Sequence, residues 1–257
     1  MFDKNSWQLE DITFVLNEYS ELLQWGYKDE TVLHFGCGSG FITGKFLLPH
    51  LPSKVQVVGV EEDDNLVQFA KKYHEHDKVE YRKLKEIQDC VFDHILSFYY
   101  FDESLDELKL FSKLNDHLTK NGDLLMILLN EHSVLSILNT LEQNEKYSGK
   151  FGKAKIKSMN ISQNTLVEAL ADANFTDIIC KCYERYHIFP SKGVLKTFLK
   201  SNLLDIKIKE SEFDNLITDF MTSMDDRIDV RRIGRNGSGI ALPYTLTFLY
   251  GRKMKLI

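Results

Sequence analysis

The spacing of apolar residues along the chain predicts one helix first and an alternation of strands and helices after it. Near the N-terminus, apolar residues recur at three- and four-residue steps, which places one apolar stripe along a helix. Asn5 or Ser6 is a suitable N-cap for this helix, and Gly26 is expected to end it. The stripe comprises Leu9, Ile12, Val15, Leu16, Tyr19, Leu22 and Leu23.

From residue 31 onwards, short apolar runs alternate with helical stripes that are separated by turn residues. Continuous apolar runs predict strands over residues 31–35, 55–60, 79–83, 91–98, 124–129, 176–184 and 243–250. Helical spacing predicts helices over residues 41–48, 66–73, 105–118, 165–173, 193–204 and 210–223, and Asn121-Gly122 is expected to close the third of them. Residues 142–160 are polar and lack clear periodicity, so they predict a loop.

This order of elements predicts an α/β fold built on a parallel, doubly wound sheet with helices on both faces. Right-handed crossovers place the strand-to-helix loops on one edge of such a sheet, where ligands bind. We expect a single domain with an N-terminal helix over residues 1–28 and a core over residues 29–190 and 241–257. Residues 191–240 are too many for a simple crossover and predict a helical insertion that caps the ligand edge.

The chain has 257 residues, and its charge and composition narrow the possible partners. Asp and Glu total 38 against 32 Lys and Arg, and the resulting net charge of −6 disfavours sequence-independent binding to nucleic acid. No apolar run approaches the roughly 20 residues of a membrane span, and the first residues do not resemble a signal peptide. Because the 4 cysteines lack zinc-ligand spacing, we expect reduced thiols, no metal site and a cytoplasmic location.

The sharpest local signal is the sequence Gly-Cys-Gly-Ser-Gly at residues 36–40, directly after the first predicted strand. Glycines let the backbone turn tightly and approach a ligand without Cβ interference. Phe41 stands where the dinucleotide fingerprint requires its third glycine, and no Lys-Ser or Lys-Thr pair follows as in a P-loop. The spacing therefore disfavours a site for NAD or ATP.

Glu61 is the second signal, because it ends the second predicted strand about 20 residues after Gly40. A carboxylate at this place can accept hydrogen bonds from both hydroxyl groups of a ribose. A glycine loop or a strand-end glutamate alone is a weak signal. Together, and in this order on an α/β frame, the two predict a nucleoside ligand.

Three motifs in the first half of the chain carry a resemblance to a known family. Residues 32–40, 58–61 and 92–97 resemble the successive motifs of class I S-adenosylmethionine-dependent methyltransferases over about residues 30–130. The chain is more closely similar to the insect juvenile hormone acid methyltransferases. The segments that carry this second resemblance are 5–8, 36–40, 47–52, 58–61, 69–72, 97–99, 174–177 and 243–244.

The resemblance implies a Rossmann-like sheet of seven mostly parallel strands with an antiparallel last strand, and S-adenosyl-L-methionine as cofactor. Glycine-loop backbone would surround the methionine part, Glu61 would hold the ribose, and the end of the fourth strand would lie beside the methyl group. Plain core packing is the alternative for Leu66 and Phe98. The full set of implied cofactor contacts is Gly36, Cys37, Gly38, Gly40, Glu61, Glu62, Leu66, Leu84, Lys85, Ser97 and Phe98.

The resemblance further implies a small apolar carboxylic acid as substrate, such as a sesquiterpenoid or a fatty acid. A carboxylate is ionised near pH 7 and needs no general base, so the amide of Gln8 would only have to orient it. A surface amide is the alternative for Gln8. A hydroxyl or amine acceptor would instead need a base, for which His132 is the candidate. The expected substrate contacts are Trp7, Gln8, Tyr99, Tyr100 and His132.

Three positions depart from the family pattern. The family usually has an acidic residue where His34 stands. A neutral imidazole could hydrogen-bond there, whereas a protonated one would repel the charged cofactor. An acid commonly holds the adenine amino group where Lys85 stands, and lysine cannot accept that hydrogen bond. The hormone enzymes carry a His-Trp pair where this chain has Asp102-Glu103.

These departures leave a second function class open. A family member that has drifted at such positions could bind a lipid or a protein partner without transferring a methyl group. The charge and the absence of a long apolar run disfavour a nucleic-acid partner and a membrane span, and we expect a monomer or a homodimer.

Overall fold

The structure is a computed structural model that describes residues 6–26, 29–100, 107–152, 158–203, 207–225, 231–233 and 239–254. The chain divides into two compact units. The larger unit takes its described residues from Gln8–Leu128, Ile161–Cys182 and Thr247–Ile257. The smaller unit takes its described residues from Met1–Trp7, Leu129–Asn160 and Tyr183–Leu246.

Helices and strands alternate along most of the described chain. The α-helices are α1 Ser6–Tyr19, α2 Asp64–Tyr73, α3 Glu107–Asp116, α4 Ser133–Glu142, α5 Gln163–Asp172, α6 Lys192–Asn202 and α7 Phe213–Asp225. The strands are β1 Thr31–Phe35, β2 Gln56–Glu61, β3 Val79–Lys83, β4 Phe92–Phe98, β5 Leu118–His132, β6 Phe175–Phe189, β7 Arg231–Ile233 and β8 Gly239–Lys253. A π-helical turn spans Thr43–Leu47, and 3₁₀ turns span Ser20–Leu22, Leu48–His50, Leu84–Ile87 and Glu210–Glu212.

The strands form one sheet in the order β3-β2-β1-β4-β5-β8-β6, and β7 pairs with β8 at its side. The pairs β1–β2, β2–β3, β1–β4 and β4–β5 are parallel, whereas β7 and β8 run antiparallel. The predicted seven-stranded, mostly parallel sheet is therefore confirmed. The short strand β7 is an addition that the sequence analysis did not predict.

Capping residues and apolar faces explain why the elements of the larger unit form where they do. The side chain of Asp63 accepts a hydrogen bond from the backbone N–H of Asn65, which caps α2, and Val67 and Ala70 face the core. The run 124–129 of β5 is buried throughout, as expected for a strand that is covered on both faces.

A buried polar cluster lies where β4 begins. The buried imidazole of His94 lies 2.7 Å from the carboxylate of Asp123 and 3.5 Å from that of Glu30. Burial alone would lower the pKa of His94, but the hydrogen bonds and charges of the two carboxylates outweigh it and raise that pKa. The ring centroids of Trp25 and His94 lie 4.1 Å apart. These side chains therefore stabilise the edge of the sheet where the parallel strands begin, and none of them belongs to the edge where ligands bind.

The smaller unit has its own apolar cluster, to which α4, α6 and α7 contribute buried faces. The helices α6 and α7 lie within the predicted insertion of residues 191–240, so its helical character is confirmed. Its capping role and the single-domain boundaries stay predictions.

The boundary between α3 and β5 differs from the prediction. The expected helix end at Asn121-Gly122 is wrong: α3 ends at Asp116, and β5 already begins at Leu118. Asn121 has a left-handed φ of 71°, and the register between β4 and β5 shifts here. The turn signal therefore marks an irregularity within a strand, since asparagine tolerates this conformation.

Two further elements differ from the sequence analysis. The first helix ends at Tyr19 and continues as a 3₁₀ turn rather than reaching Gly26. Helix α4 was not predicted, although Val134, Ile137 and Leu141 have helical spacing and are buried. Its N-terminus is capped by the imidazole of His132, a residue type that sequence rules for caps do not favour.

No α-helix in the described ranges is both long and apolar enough to cross a bilayer. The same residues contain no cluster of His, Cys, Asp or Glu side chains that could hold a metal ion. The four cysteines are free thiols.

Candidate functional site

The carboxyl ends of three parallel strands lie side by side in the larger unit. Phe35, the last residue of β1, is paired with Val60 of β2 and with Ser97 of β4. The segments that follow these strands therefore meet at one edge, which is the edge where α/β sheets bind ligands.

The glycine loop after β1 is anchored to β2 by backbone hydrogen bonds. The N–H groups of Gly36 and Cys37 both donate to the carbonyl of Val60, at 3.0 and 2.9 Å. Gly38 has a φ of 55°, and a Cβ built on it would meet no atom within 4 Å. The middle of the loop thus presents bare backbone to open space.

The end of the loop packs closely against its surroundings. A Cβ on Gly40 would lie 2.8 Å from Ala70 on α2 and equally close to the ring of Tyr81 on β3. The Tyr81 hydroxyl donates to the carbonyl of Gly40 at 3.1 Å. Only glycine fits at position 40, and the hydrogen bond from Tyr81 fixes the end of the loop against β3.

Glu61 reaches across from the end of β2 to the glycine loop. One carboxylate oxygen accepts the N–H of Gly38 at 3.0 Å, and the other accepts the N–H groups of Glu62 and Asp63 at 2.7 and 3.2 Å. A carboxylate has about four lone-pair sites, so these three donors leave capacity for a ligand hydroxyl. An open glycine backbone beside such a carboxylate fits a ribose-bearing ligand.

Three of the residues implied as cofactor contacts meet in one cleft of about 370 Å³. Glu62, Leu84 and Lys85 all line it, together with Lys83, which pairs with Asp64. The ammonium group of Lys85 can only donate hydrogen bonds. Leu66 lies on α2 with 36% of its surface exposed and does not line this cleft.

Ser97 and Phe98 are buried at the end of β4. The Ser97 hydroxyl donates to the carbonyl of Phe35 at 3.1 Å, and the Phe98 ring packs against His34 at 5.3 Å. Both side chains therefore stabilise the strand ends, and a contact from Ser97 to a ligand stays a prediction. The thiol of Cys37 is also buried, which raises its pKa to about 12 and keeps it protonated.

His34 is buried one residue before the end of β1. Its Nδ1 lies 2.7 Å from the hydroxyl of Thr43, and its Nε2 has no hydrogen-bond partner among the described residues. Burial lowers the pKa of His34 to about 3, so the imidazole is neutral at pH 7. The repulsion expected from a protonated His34 does not arise in the folded protein.

Tyr99 and Tyr100 follow β4 directly and point to different partners. Tyr99 has a left-handed φ of 59°, and its hydroxyl donates to the carboxylate of Asp11 at 2.6 Å. Tyr100 packs edge-on against Phe35 at 4.7 Å, and its ring covers Gly36. The structure therefore places Tyr100 beside residues implied to hold the cofactor, whereas the sequence analysis assigned it to the substrate.

The remaining predicted residues fall in different units. Gln8 belongs to the larger unit and lies partly exposed in the first turn of α1. Trp7 and His132 belong to the smaller unit, where their rings are 5.7 Å apart. The Nδ1 atom of His132 accepts the N–H of Val134 at 3.1 Å, and burial lowers its pKa to about 3. Asp102-Glu103 lies outside the described residues.

Two buried polar residues were not identified from the sequence. His187 packs against Trp7 at 5.2 Å and against His132 at 5.7 Å, and no sequence motif marks it. Asp11 is fully buried on α1. A signal for Asp11 does exist, because it lies four residues before Val15 and therefore falls on the apolar face of the helix.

The strand order and the glycine loop with its acidic partner define a Rossmann-like α/β protein with a nucleoside-type site at the carboxyl edge. The chain belongs to the methyltransferase domain family, whose profile matches residues 27–186. It is similar to juvenile hormone acid O-methyltransferase of Bombyx mori, with 21% identity over 98% of this chain and 95% of that protein. The enzyme of the same name from Drosophila melanogaster is 28% identical over 56% of this chain and 52% of that protein.

Solved structures share the fold at low identity. The YcgJ protein of Bacillus subtilis is 14% identical with a TM-score of 0.61, covering 95% of this chain and 99% of that one. Phosphoethanolamine N-methyltransferase 2 of Haemonchus contortus, in complex with phosphomonomethylethanolamine and S-adenosylhomocysteine, is 14% identical with a TM-score of 0.53. That match covers 99% of this chain and 58% of the Haemonchus chain.

Replacing Gly38 with Ala is expected to retain the fold but to weaken binding of S-adenosylhomocysteine. The positive φ makes alanine cost about 1–2 kcal/mol in the free energy of unfolding. The new methyl group would point into the open space above the loop and obstruct a ligand there. We expect the Kd from calorimetric titration to rise by about tenfold or more.

Gly149→Ala is the matched control for this variant. Gly149 has a φ of 65° and equally open space around a Cβ, but it lies in the smaller unit. Gly149→Ala should lower the free energy of unfolding by the same amount as Gly38→Ala and keep the wild-type Kd for S-adenosylhomocysteine. A Gly38→Ala variant that binds as tightly as the wild type would contradict a ligand seated on this loop.

Acid should destabilise the fold through its buried neutral histidines. The pKa values of His34, His132 and His187 are each lowered to about 3, so below pH 6.5 the unfolded chain binds protons that the folded chain does not. The free energy of unfolding should therefore fall by about 1.4 kcal/mol per pH unit for each of them as pH drops from 6.5 towards 3. Urea unfolding at a series of pH values measures this slope.

His34→Asn isolates one of these contributions. The variant should have a slope that is shallower by about 1.4 kcal/mol per pH unit, because asparagine does not titrate. Identical slopes for His34→Asn and the wild type would show that His34 is not held neutral.

Proposed function

We propose that this chain is an S-adenosylmethionine-dependent methyltransferase that methylates the carboxylate of a small apolar acid, such as a sesquiterpenoid or a fatty acid. The observation that carries the cofactor assignment is the open backbone at Gly38 beside the anchored carboxylate of Glu61. The acceptor assignment is supported by the names of the insect relatives, the first of which aligns over 98% of this chain.

The cofactor supplies an electrophilic methyl group on a sulfonium when it is bound. In this proposal the backbone of residues 36–40 holds its amino-acid part, and Glu61 accepts hydrogen bonds from its ribose. The cleft with Glu62, Leu84 and Lys85 receives the adenine end, where Lys85 can donate to a ring nitrogen but cannot accept from the amino group. The neutral His34 adds no positive charge beside the ligand.

The acceptor must be aligned with the methyl carbon and shielded from water. In this proposal the amide of Gln8 donates to one oxygen of the substrate carboxylate and leaves the other oxygen free for attack. The lowered pKa of His132 favours a carboxylate acceptor over a hydroxyl or an amine. Burial lowers the pKa of His132 to about 3, so it is a poor general base at pH 7, and a carboxylate needs none.

We also propose that the chain forms one methyltransferase domain with an N-terminal helix, a Rossmann-like core and a helical cap over residues 191–240. We propose that it works in the cytoplasm as a monomer or a homodimer. Trp7, Tyr99, Tyr100 and His132 are proposed to contact the apolar acid.

A non-catalytic binding protein is the second candidate, and two observations favour it. The ring of Tyr100 covers Gly36, and Lys85 stands in the adenine cleft, so both features would weaken cofactor binding. Calorimetric titration with S-adenosylhomocysteine separates the two candidates. No detectable heat at millimolar ligand would reject the enzyme in favour of the binding protein.

Methyl transfer from labelled cofactor to a panel of long-chain and terpenoid acids tests the acceptor. We expect methyl esters from apolar acids and no product from the matching alcohols and amines. Turnover of alcohols or amines in place of acids would reject the carboxylate.

Replacing Gln8 with Ala is expected to lower kcat for the acid by about 10- to 100-fold, because the carboxylate loses the donor that orients it. The Kd for S-adenosylhomocysteine should stay within about twofold of the wild-type value, because Gln8 is not proposed to contact the cofactor. Glu10→Ala, at an exposed position on the same helix, is the control and should change neither value. An unchanged kcat for Gln8→Ala would remove the proposed role of Gln8.

A further inference from the structure

Asp11 is a fully buried carboxylate on α1 that the proposed reaction does not use. A carboxylate in the protein interior is unfavourable unless charges or hydrogen bonds compensate it. The hydroxyl of Tyr99 supplies such a bond, with 2.6 Å between the two oxygens. The bond joins the first helix to the residue that directly follows β4.

Tyr99 is held in a backbone conformation that tyrosine rarely adopts. Its φ is 59°, in the left-handed region that favours glycine. Its backbone N–H donates to the carbonyl of Ile127 on β5 at 3.0 Å, and its hydroxyl donates to Asp11. Strained residues of this kind persist where surrounding contacts fix them, and they cluster at functional sites.

The position of Asp11 on α1 relates this bond to Gln8. Residues three apart on a helix lie on the same face, so Gln8 and Asp11 project from neighbouring turns of one face. A bond that fixes Asp11 against the end of β4 therefore also fixes the rotation of the helix turn that carries Gln8.

We propose that the hydrogen bond between Tyr99 and Asp11 is a latch that positions Gln8 for the substrate carboxylate. Asp11 is a positioning residue that acts through the placement of α1. Tyr99 acts on α1 through its hydroxyl, while its ring is proposed to contact the apolar acid. The inference rests on the proposed function, because the latch affects turnover only if Gln8 orients a substrate carboxylate.

Tyr99→Phe tests the latch by removing its donor while keeping the ring. We expect kcat for the acid to fall by about 10- to 100-fold, because small misplacements of an aligning group have effects of this size. The Kd for S-adenosylhomocysteine should remain within about twofold of the wild-type value. Asp11→Asn should retain most of the activity, because its amide oxygen still accepts from Tyr99.

The double variant Tyr99→Phe, Asp11→Asn should be no slower than Tyr99→Phe alone, since both changes act on one bond. Tyr250→Phe is the matched control, because the hydroxyl of this buried tyrosine donates to the carbonyl of Leu22 at 2.9 Å in the same unit. It removes a comparable hydrogen bond without touching the latch, and its kcat should equal that of the wild type.

Hydrogen exchange of the backbone amides in α1 gives a readout that does not depend on turnover. We expect faster exchange over residues 9–16 in Tyr99→Phe but not in Tyr250→Phe. If the wild type methylates no acid, the proposed function fails, and the exchange result alone decides whether the latch exists. Wild-type kcat together with wild-type exchange in Tyr99→Phe would overturn the latch, as would an equal loss of kcat in Tyr250→Phe.

Discussion

The parallel pairing of β1 with β2 is the constraint on which the candidate site depends. Its register runs from Thr31 opposite Gln56 to Phe35 opposite Val60, and it brings the glycine loop and Glu61 to the same edge. A shift of one residue would turn the Glu61 side chain to the other face of the sheet. The bond from the Gly38 N–H to the Glu61 carboxylate is the visible result of that register.

Polar groups near the ligand edge are buried in two different ways. His34 loses its charge, because burial disfavours the imidazolium and lowers its pKa. Asp11 instead receives a hydroxyl donor from Tyr99. The first arrangement makes the fold sensitive to acid, whereas the second ties a helix to a strand end. Neither arrangement involves the backbone at Gly38, which stays open to a ligand.

The sequence alone predicts the features that depend on local pattern. Apolar runs predict the parallel sheet, and the loop at residues 36–40 with Glu61 predicts where a ligand binds. Other features depend on tertiary contacts that no local pattern encodes. The ring of Tyr100 on Gly36 and the contact of His187 with Trp7 join segments distant in sequence. The left-handed Asn121 within β5 accompanies a shift in the register of that strand against β4. Helix α4 was missed although its spacing is helical, because a histidine caps it.

A crystal structure of the chain soaked with S-adenosylhomocysteine tests the central claim most directly. We expect the ligand on the backbone of residues 36–40, with a ribose hydroxyl within hydrogen-bond distance of the Glu61 carboxylate. An empty loop at saturating ligand would contradict it, as would a ligand bound elsewhere while Glu61 contacts only the backbone N–H groups.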